Sequence, residues 1–188
     1  MANDTMTKPA LRALALQRRN EVREREERSR RICERLAALD LYQQSLALHC
    51  YLPMRSEAST LPLLAQALAS GKRVAVPVTR RGQPELEHSW LRALDDLEPG
   101  AFGTPQPRVL VPCDPALCDL VIVPLLGFDR HCQRLGYGKG HYDRLLATLR
   151  VPRVGVAFAA QEFPHIPPDP WDVALDAIVT EDEVVTIG

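Results

Sequence analysis

The stretch that decides the fold runs from Asp119 to Leu146 and reads DLVIVPLLGFDRHCQRLGYGKGHYDRLL. Residues 119–126 form a nearly continuous apolar run, which is typical of a strand buried on both faces of a parallel sheet. Residues 142–150 have the apolar spacing of a helix, and three glycines within five residues lie between the two segments. The stretch therefore predicts a strand, a glycine-rich loop and a helix in succession, the unit from which open α/β sheets are built.

Segments on both sides of this unit alternate between strand and helix patterns. We predict strands at 45–51, 73–78, 86–90, 153–159 and 176–180, and a helix at 60–70 that ends at Gly71. Strands separated by helices favour a sheet with helices on its faces. The predicted fold class is α/β, a three-layer α/β/α arrangement around a mainly parallel, Rossmann-like sheet with an N-terminal helical segment.

The N-terminal segment is rich in charge. Residues 8–35 carry ten Lys and Arg against five Glu, and acid-first pairs at i,i+4 favour a helix. The predicted pairs are Glu21–Arg25, Glu24–Arg28, Glu26–Arg30 and Glu27–Arg31. Asn20 is a candidate N-cap between a first and a second helix. We predict that helices within 8–40 pack on an α/β body of residues 45–188, so that 1–188 forms a single domain.

Composition excludes several classes of protein. The net charge of −1 argues against nucleic-acid binding, and the arginine-rich helix predicted at 18–35 has interleaved acids and no nearby aromatic platform for RNA. No apolar run approaches the ~20 residues of a membrane span. The five cysteines include no CxxC pair, which indicates reduced thiols. We expect a cytoplasmic protein that binds neither nucleic acid nor membrane and acts as a monomer without a protein partner.

The glycine loop has the chemistry of a phosphate site. Gly136, Gly138 and Gly140 allow backbone N–H groups to turn toward an anion, the start of the next helix adds partial positive charge, and Lys139 adds a mobile cation. A Walker A loop needs Ser or Thr after its lysine, and a dinucleotide fingerprint needs its third glycine one position later. The pattern alone fits both a phosphate-binding loop and a tight turn.

Asp143 follows this loop, where a carboxylate would repel phosphate unless a metal joined them. Mg²⁺ commonly binds one or two carboxylates together with phosphate oxygens. A second interpretation makes Asp143 an acid that complements the dipole at the start of a helix. The two interpretations are compatible because they place the residue at the same position.

These residues resemble the signature of the 5-formyltetrahydrofolate cyclo-ligase (5,10-methenyltetrahydrofolate synthetase) family, whose members typically carry DLVLVPGLAFD followed by RLGRGxGYYDR. The resemblance covers nearly the whole chain. The other matches, in order, are KPALR at 8–12, YLPMRSEAST at 51–60, GKRVAVP at 71–77, FGTPQP at 102–107 and VALDAIVTE at 173–181.

The resemblance implies an ATP- and Mg²⁺-dependent ring closure that converts 5-formyltetrahydrofolate into 5,10-methenyltetrahydrofolate and releases ADP and phosphate. Such phosphoryl transfer depends mainly on positioning and charge neutralisation. An alternative keeps the nucleotide site but changes the substrate, giving an ATP-dependent ligase or kinase of the same fold that acts on another small acid.

The resemblance also implies a set of site residues. The residues implied to contact ATP are Lys8, Arg12, Arg134, Leu135, Gly136, Tyr137, Gly138, Lys139, Gly140, His141 and Tyr142. The folate site would include Leu52 and Glu57, together with Tyr137, Lys139 and His141 at the formyl end. Asp143 and Asp176 would hold Mg²⁺. Taken alone, Glu57 is equally typical of a surface loop and Asp176 of a cap at a strand edge.

Two positions depart from the family pattern. Tyr137 stands where many members have arginine, which removes a cation from the loop, and Lys139 is the residue expected to restore it. His141 replaces the first tyrosine of the usual YYD, so a hydrogen bond from this position could depend on pH.

Overall fold

The computed structural model describes residues 6–187, and a seven-stranded sheet lies at its centre. The strands in chain order are β1 (Ala47–Cys50), β2 (Arg73–Val78), β3 (Glu87–Leu91), β4 (Leu97–Pro99), β5 (Pro105–Pro107), β6 (Leu120–Pro124), β7 (Gly127–Phe128), β8 (Arg134–Leu135), β9 (Arg153–Val156), β10 (Ala177–Val179) and β11 (Val184–Thr186). The order in the sheet is β11-β10-β9-β6-β1-β2-β3, and β4/β5 and β7/β8 form separate pairs.

Pairing in the sheet is parallel at every internal position. Only the outermost pairs, β2/β3 and β10/β11, are antiparallel. The two central strands β1 and β6 are paired in register from Leu48 with Leu120 to Cys50 with Ile122. These positions are buried, as the apolar runs predicted. All six strands predicted from the sequence are present in the sheet.

Helices cover both faces of the sheet. They are α1 (Lys8–Glu21), α2 (Arg25–Ala37), α3 (Asp40–Gln44), α4 (Leu61–Ala69) and α5 (His141–Thr148). Residues of α2, α3 and α4 pack with one set of strand side chains, and α5 packs with the alternate set. Alternate burial follows because successive strand side chains point to opposite faces. The predicted three-layer α/β/α fold class is confirmed.

The first helix occupies a different position from the others. Apolar residues of α1, Leu11 and Ala15, pack with Leu126 and Leu135 of the β7/β8 region, beyond the carboxyl end of β6. The β7/β8 pair places this region beneath α1. As a result, α1 lies beside the loop that the sequence singled out.

The predicted helix boundary at Asn20 was wrong. Asn20 lies within α1, and the chain breaks at 22–24, where Glu24 adopts a left-handed conformation before α2 begins. The side-chain oxygen of Asn20 accepts a hydrogen bond from Ser56 Oγ at 2.6 Å instead of capping a helix. The side-chain oxygen that would have capped a helix is therefore engaged in a tertiary contact with Ser56.

None of the four predicted i,i+4 pairs is among the ion pairs of residues 6–187. Two of them, Glu21–Arg25 and Glu24–Arg28, span the break between the helices. Arg28 and Arg31 instead reach Glu181 and Asp182 at the end of the sheet. Helical spacing made the predicted pairs available, but Arg28 and Arg31 pair with residues at the end of the sheet, and Arg30 pairs with Glu27 and Glu34 within α2.

Two further predictions concern the chain as a whole. All five cysteines are free thiols, as predicted. No helix in the described part of the chain combines the length and hydropathy needed to cross a bilayer. The sequence patterns did not predict β11 or the two short pairs β4/β5 and β7/β8.

Candidate functional site

The principal pocket lies beyond the carboxyl ends of β1, β2 and β6. Tyr51 and Leu52 follow β1, Pro77 is the next-to-last residue of β2, and Pro124 is the last residue of β6. The glycine loop and the first turn of α5 complete the wall. Ligands of open α/β sheets bind at this edge. The predicted folate-site residues that line the pocket are Leu52, Glu57, Tyr137, Lys139 and His141.

The loop at 136–140 needs glycine for conformation and for space. Gly138 and Gly140 have φ of +84° and +67°, which disfavour residues with a side chain. A Cβ atom at Gly138 would lie 3.0 Å from Arg12 Cζ. Arg12 Nε also donates a hydrogen bond to the Gly136 carbonyl at 2.9 Å. Helix α1 therefore holds the loop closely through one arginine.

Glu57 is a buried carboxylate in the wall of the pocket. Its Oε2 accepts a hydrogen bond from the Met54 N–H at 3.0 Å, and its Oε1 accepts one from the Tyr137 hydroxyl at 2.9 Å. Burial raises the pKa of Glu57 above its usual range, although these hydrogen bonds and the nearby Arg19 charge act in the opposite direction. The surface-loop interpretation of Glu57 is wrong because its side chain is only 6% exposed.

Arg19 is a residue that sequence reasoning missed. Its side chain is 1% exposed, and its Nη1 donates to the Tyr137 hydroxyl at 2.8 Å while its Nε donates to Ser56 Oγ at 3.1 Å. Burial raises the pKa of Tyr137 to about 12, and the charge of Glu57 adds to this effect. Arg19 gave no sequence signal because it stands among ten basic residues of the N-terminal segment.

A second pocket adjoins the first on the side of α1. It is lined by the predicted ATP-site residues Lys8, Arg12, Arg134, Leu135, Gly136, Gly138 and Gly140, by Asp143, and by Asp169, Trp171 and Asp172. Lys8 forms ion pairs with Asp169, at 2.5 Å, and with Asp172. Burial lowers the pKa of Lys8 and the two carboxylates raise it, with a net increase.

Asp143 lies between the two pockets and lines both. It is in the first turn of α5, which is consistent with the helix-dipole interpretation. One of its carboxylate oxygens accepts a hydrogen bond from Arg134, a buried residue. Within residues 6–187 there is no cluster of three or more His, Cys, Asp or Glu that could hold a metal ion. Any metal bound here would need ligand atoms from elsewhere.

The structure does not bring Asp176 to this site. Asp176 directly precedes β10, which runs parallel to β9, and its Oδ2 accepts a hydrogen bond from the Arg153 N–H at 2.7 Å. It therefore lies at the amino ends of the strands, whereas Asp143 follows their carboxyl ends. Its predicted role beside Asp143 is corrected, and the alternative, a cap at a strand edge, describes what the residue does.

Lys139, His141 and Tyr142 complete this side of the pocket. The ammonium group of Lys139 lies 4.8 Å from the centre of the Phe102 ring, within the range of a cation–π contact. His141 Nδ1 lies 2.5 Å from the Pro84 carbonyl, so this nitrogen donates and only Nε2 is left for a ligand. Tyr142 lines the pocket, but its hydroxyl is buried without a hydrogen-bond partner in the described part of the chain.

The fold and the position of the site define an α/β enzyme whose binding surface lies at the carboxyl edge of its sheet. The model of the 5-formyltetrahydrofolate cyclo-ligase family matches residues 4–181, so the chain belongs to this family of ligases. The predicted resemblance is thereby confirmed.

Individual relatives agree with the family assignment. A 5-formyltetrahydrofolate cyclo-ligase of Mycolicibacterium smegmatis is 32% identical over 190 residues, covering 93% of each chain. That of Escherichia coli is 31% identical over 149 residues, covering 71% of this chain and 77% of the relative. The NMR structure of Aquifex aeolicus 5,10-methenyltetrahydrofolate synthetase superposes with a TM-score of 0.84 at 33% identity, covering 97% of this chain and 93% of the other.

Proposed function

We propose that the protein catalyses the ATP-dependent conversion of 5-formyltetrahydrofolate to 5,10-methenyltetrahydrofolate, with release of ADP and phosphate. One observation carries the proposal: Gly136, Gly138 and Gly140, with Arg134 and Asp143, line both pockets. A folate in the principal pocket and a triphosphate in the second pocket would meet at this shared wall. The arrangement suits transfer of a terminal phosphoryl group between two bound molecules.

The chemistry explains why two substrates must meet. A formamide oxygen is a poor leaving group, so N10 of the folate cannot close the ring unaided. Transfer of the γ-phosphoryl group forms a bond from phosphorus to the formyl oxygen and breaks the bond to ADP. N10 then attacks the formyl carbon and loses its proton, and the oxygen leaves as phosphate.

The protein's contribution to this transfer is charge and position. Arg12 and Arg134 supply fixed cations, and the loop and the start of α5 supply N–H groups for phosphate oxygens. Lys8 is held by two carboxylates in the structure, so a bound triphosphate would compete with Asp169 and Asp172 for its ammonium group. We propose that all three cations contact the triphosphate.

Mg²⁺ fits the site as an ion held largely by the nucleotide. Asp143 would be its protein ligand through the oxygen that does not bind Arg134, with phosphate oxygens completing the shell. Asp169 and Asp172 line the same pocket and are the carboxylates from which a second protein ligand would come. The ion would neutralise charge on the transferred phosphoryl group.

Glu57 and Leu52 would recognise the folate. An ionised carboxylate in an apolar wall can accept hydrogen bonds from the N–H groups of a pterin ring. The Met54 N–H and the Tyr137 hydroxyl fix the orientation of the carboxylate before any ligand arrives. We further propose that the enzyme acts in the cytoplasm as a monomer.

A turnover assay tests the proposed function. Incubation with 5-formyltetrahydrofolate, ATP and Mg²⁺ is expected to increase the near-ultraviolet absorbance of the methenyl product, and omission of either ATP or Mg²⁺ should abolish the change. ATP hydrolysis without an absorbance change would support the alternative, a ligase or kinase of another small acid. Size-exclusion chromatography with light scattering checks the monomeric state.

A further inference from the structure

We infer that Arg19 of α1 is a positioning residue of the folate site, which acts through Tyr137 to fix the orientation of the Glu57 carboxylate. The inference rests on the proposed function, because it assigns Arg19 to folate recognition rather than to the nucleotide. Arg19 does not line either pocket, and its effect on a ligand would be indirect.

The contacts form an ordered chain of donors and acceptors. Arg19 has no acceptor atom, so its Nη1 must donate to the Tyr137 hydroxyl oxygen, 2.8 Å away. That hydroxyl then directs its own hydrogen to Glu57 Oε1, 2.9 Å away. Arg19 Nη1 is also 3.8 Å from the same carboxylate oxygen. The orientation of one helix side chain thereby determines the hydrogen-bond state of the carboxylate in the pocket.

Burial argues that Arg19 is more than a packing residue. The fully buried guanidinium loses its hydration, and within the described residues its Nη2 has no hydrogen-bond partner. Burying a charged group without its hydration destabilises the fold unless a nearby opposite charge compensates for the loss. Glu57 is the carboxylate that forms an ion pair with Arg19 in the structure. An apolar side chain of similar length would pack in the same space but would remove the charge of Arg19 from the neighbourhood of Glu57.

The contact between Arg19 and Tyr137 involves a loop position at which this chain departs from the family pattern. The family pattern described above has arginine at this position in many members, so a cation would reach the pocket from the loop itself. Here the loop carries a tyrosine, and the cation comes from α1 with its guanidinium 5.6 Å from the centre of the tyrosine ring. Arg19 thus supplies a cation beside Tyr137, whereas Lys139, the residue expected to restore the loop charge, lies over the Phe102 ring.

Two single variants and their combination test the inference. In Arg19→Met and in Tyr137→Phe, we expect the Kd for 5-formyltetrahydrofolate, measured by calorimetry without ATP, to rise at least tenfold. We expect the Kd for ATP to change less than twofold in both. The folate Kd of the double variant should not exceed the higher of the two single-variant values, because both changes interrupt one chain of hydrogen bonds. Arg18→Met is the matched control, since Arg18 contacts Phe163 and the Glu162 carbonyl outside the pocket.

A double variant that moves the cation from position 19 to position 137 (the swap) distinguishes a positioning role of Arg19 from a purely structural one. Arg19→Leu combined with Tyr137→Arg should recover folate affinity to within threefold of the wild type, whereas Tyr137→Arg alone should bind poorly because two guanidinium groups would crowd Glu57. Arg19→Lys, which keeps the charge, provides a folded comparison if Arg19→Met unfolds, and it should show a smaller loss than Arg19→Met or Arg19→Leu.

The outcomes distinguish this inference from the proposed function. A folded Arg19→Met variant with unchanged folate Kd, or equal losses for folate and ATP with no recovery in the swap, would overturn the role of Arg19. A wild-type protein that binds folate but forms no methenyl product would overturn the proposed reaction and leave the role of Arg19 measurable.

Discussion

At the scale of single residues, we propose that folate recognition depends on the carboxylate of Glu57. Replacing it by glutamine keeps its size but removes the charge and one acceptor site. We expect Glu57→Gln to raise KM for 5-formyltetrahydrofolate at least tenfold, with KM for ATP nearly unchanged, in steady-state assays. Glu26→Gln, an exposed change on α2, is the control. A folded Glu57→Gln enzyme with normal KM for folate would remove Glu57 from the site.

The buried side chain of His49 is expected to make the stability of the native protein depend on pH. It is fully buried on β1, with Nε2 3.1 Å from His88 Nδ1 and its ring beside Tyr142. Burial, with a smaller contribution from His88, lowers the pKa of His49 to about 3. The unfolded chain takes up this proton near pH 6.5 and the native protein does not, so native stability falls as the pH decreases from 6.5 toward 3.

The expected loss from His49 between pH 7 and pH 5 is about 2 kcal/mol. Burial also lowers the pKa of His88, so its contribution has the same sign. Urea unfolding at both pH values should show a smaller difference for His49→Gln than for the wild type. His131→Gln, which changes an exposed histidine, should leave the difference as it is. Equal pH dependence in wild type and His49→Gln would contradict this assignment.

At the scale of elements, the glycine loop and α1 act together. Gly138 and Gly71 both have positive φ, near +80°, but only Gly138 has a neighbour where a Cβ atom would stand. Alanine at either position should cost ~1 kcal/mol of stability because of the left-handed backbone. We expect kcat/KM to fall at least tenfold in Gly138→Ala and to stay within twofold in Gly71→Ala. Equal activity in the two variants would mean that Arg12 does not need this loop conformation.

Elements with strong local signals could be predicted from the sequence. The apolar runs of β1, β2 and β6 identified the core of the sheet because strands buried on both faces need no alternation. The hairpin strands β7 and β8 are two residues each and too short for any periodicity. The break between α1 and α2 was misplaced because Asn20 has the chemistry of a cap, while Glu24 carries no local sign of a left-handed backbone.

Candidate site residues also divide into those with a local sequence signal and those that only the fold brings together. Lys139 and Asp143 lie in or beside the loop and line the pocket, so a local pattern was sufficient to select them as candidates. Asp176 was placed by resemblance alone, and the direction of β10 puts it at the opposite edge of the sheet. Arg19 and the acids Asp169 and Asp172 come to the site from distant parts of the chain, and only the three-dimensional arrangement reveals them.

At the scale of the whole molecule, a buried carboxylate that follows β10, Glu181, connects α2 to the sheet. Glu181 is 0% exposed and accepts hydrogen bonds from Arg28 Nη1 at 2.6 Å and from the Ala159 N–H at 2.8 Å. Residues of α2 also share the core with strand residues. We therefore propose that the helical segment and the α/β body unfold together as one domain.

Glu181→Gln tests this coupling. It should lower the free energy of unfolding by about 2 kcal/mol, because a buried charge-assisted hydrogen bond is lost, and the transition should stay single. Glu34→Gln breaks an exposed pair with Arg30 and should cost less than about 0.5 kcal/mol. Two separate transitions, followed by circular dichroism and tryptophan fluorescence, would show that the helices fold independently of the sheet.

The most direct measurement of the central claim follows the formyl oxygen. 5-Formyltetrahydrofolate labelled with ¹⁸O in its formyl group is converted with unlabelled ATP in unlabelled water, and the released phosphate is analysed by mass spectrometry. If the shared loop brings the terminal phosphoryl group to that oxygen, each phosphate will carry one ¹⁸O atom. Unlabelled phosphate formed alongside the methenyl product would contradict the account.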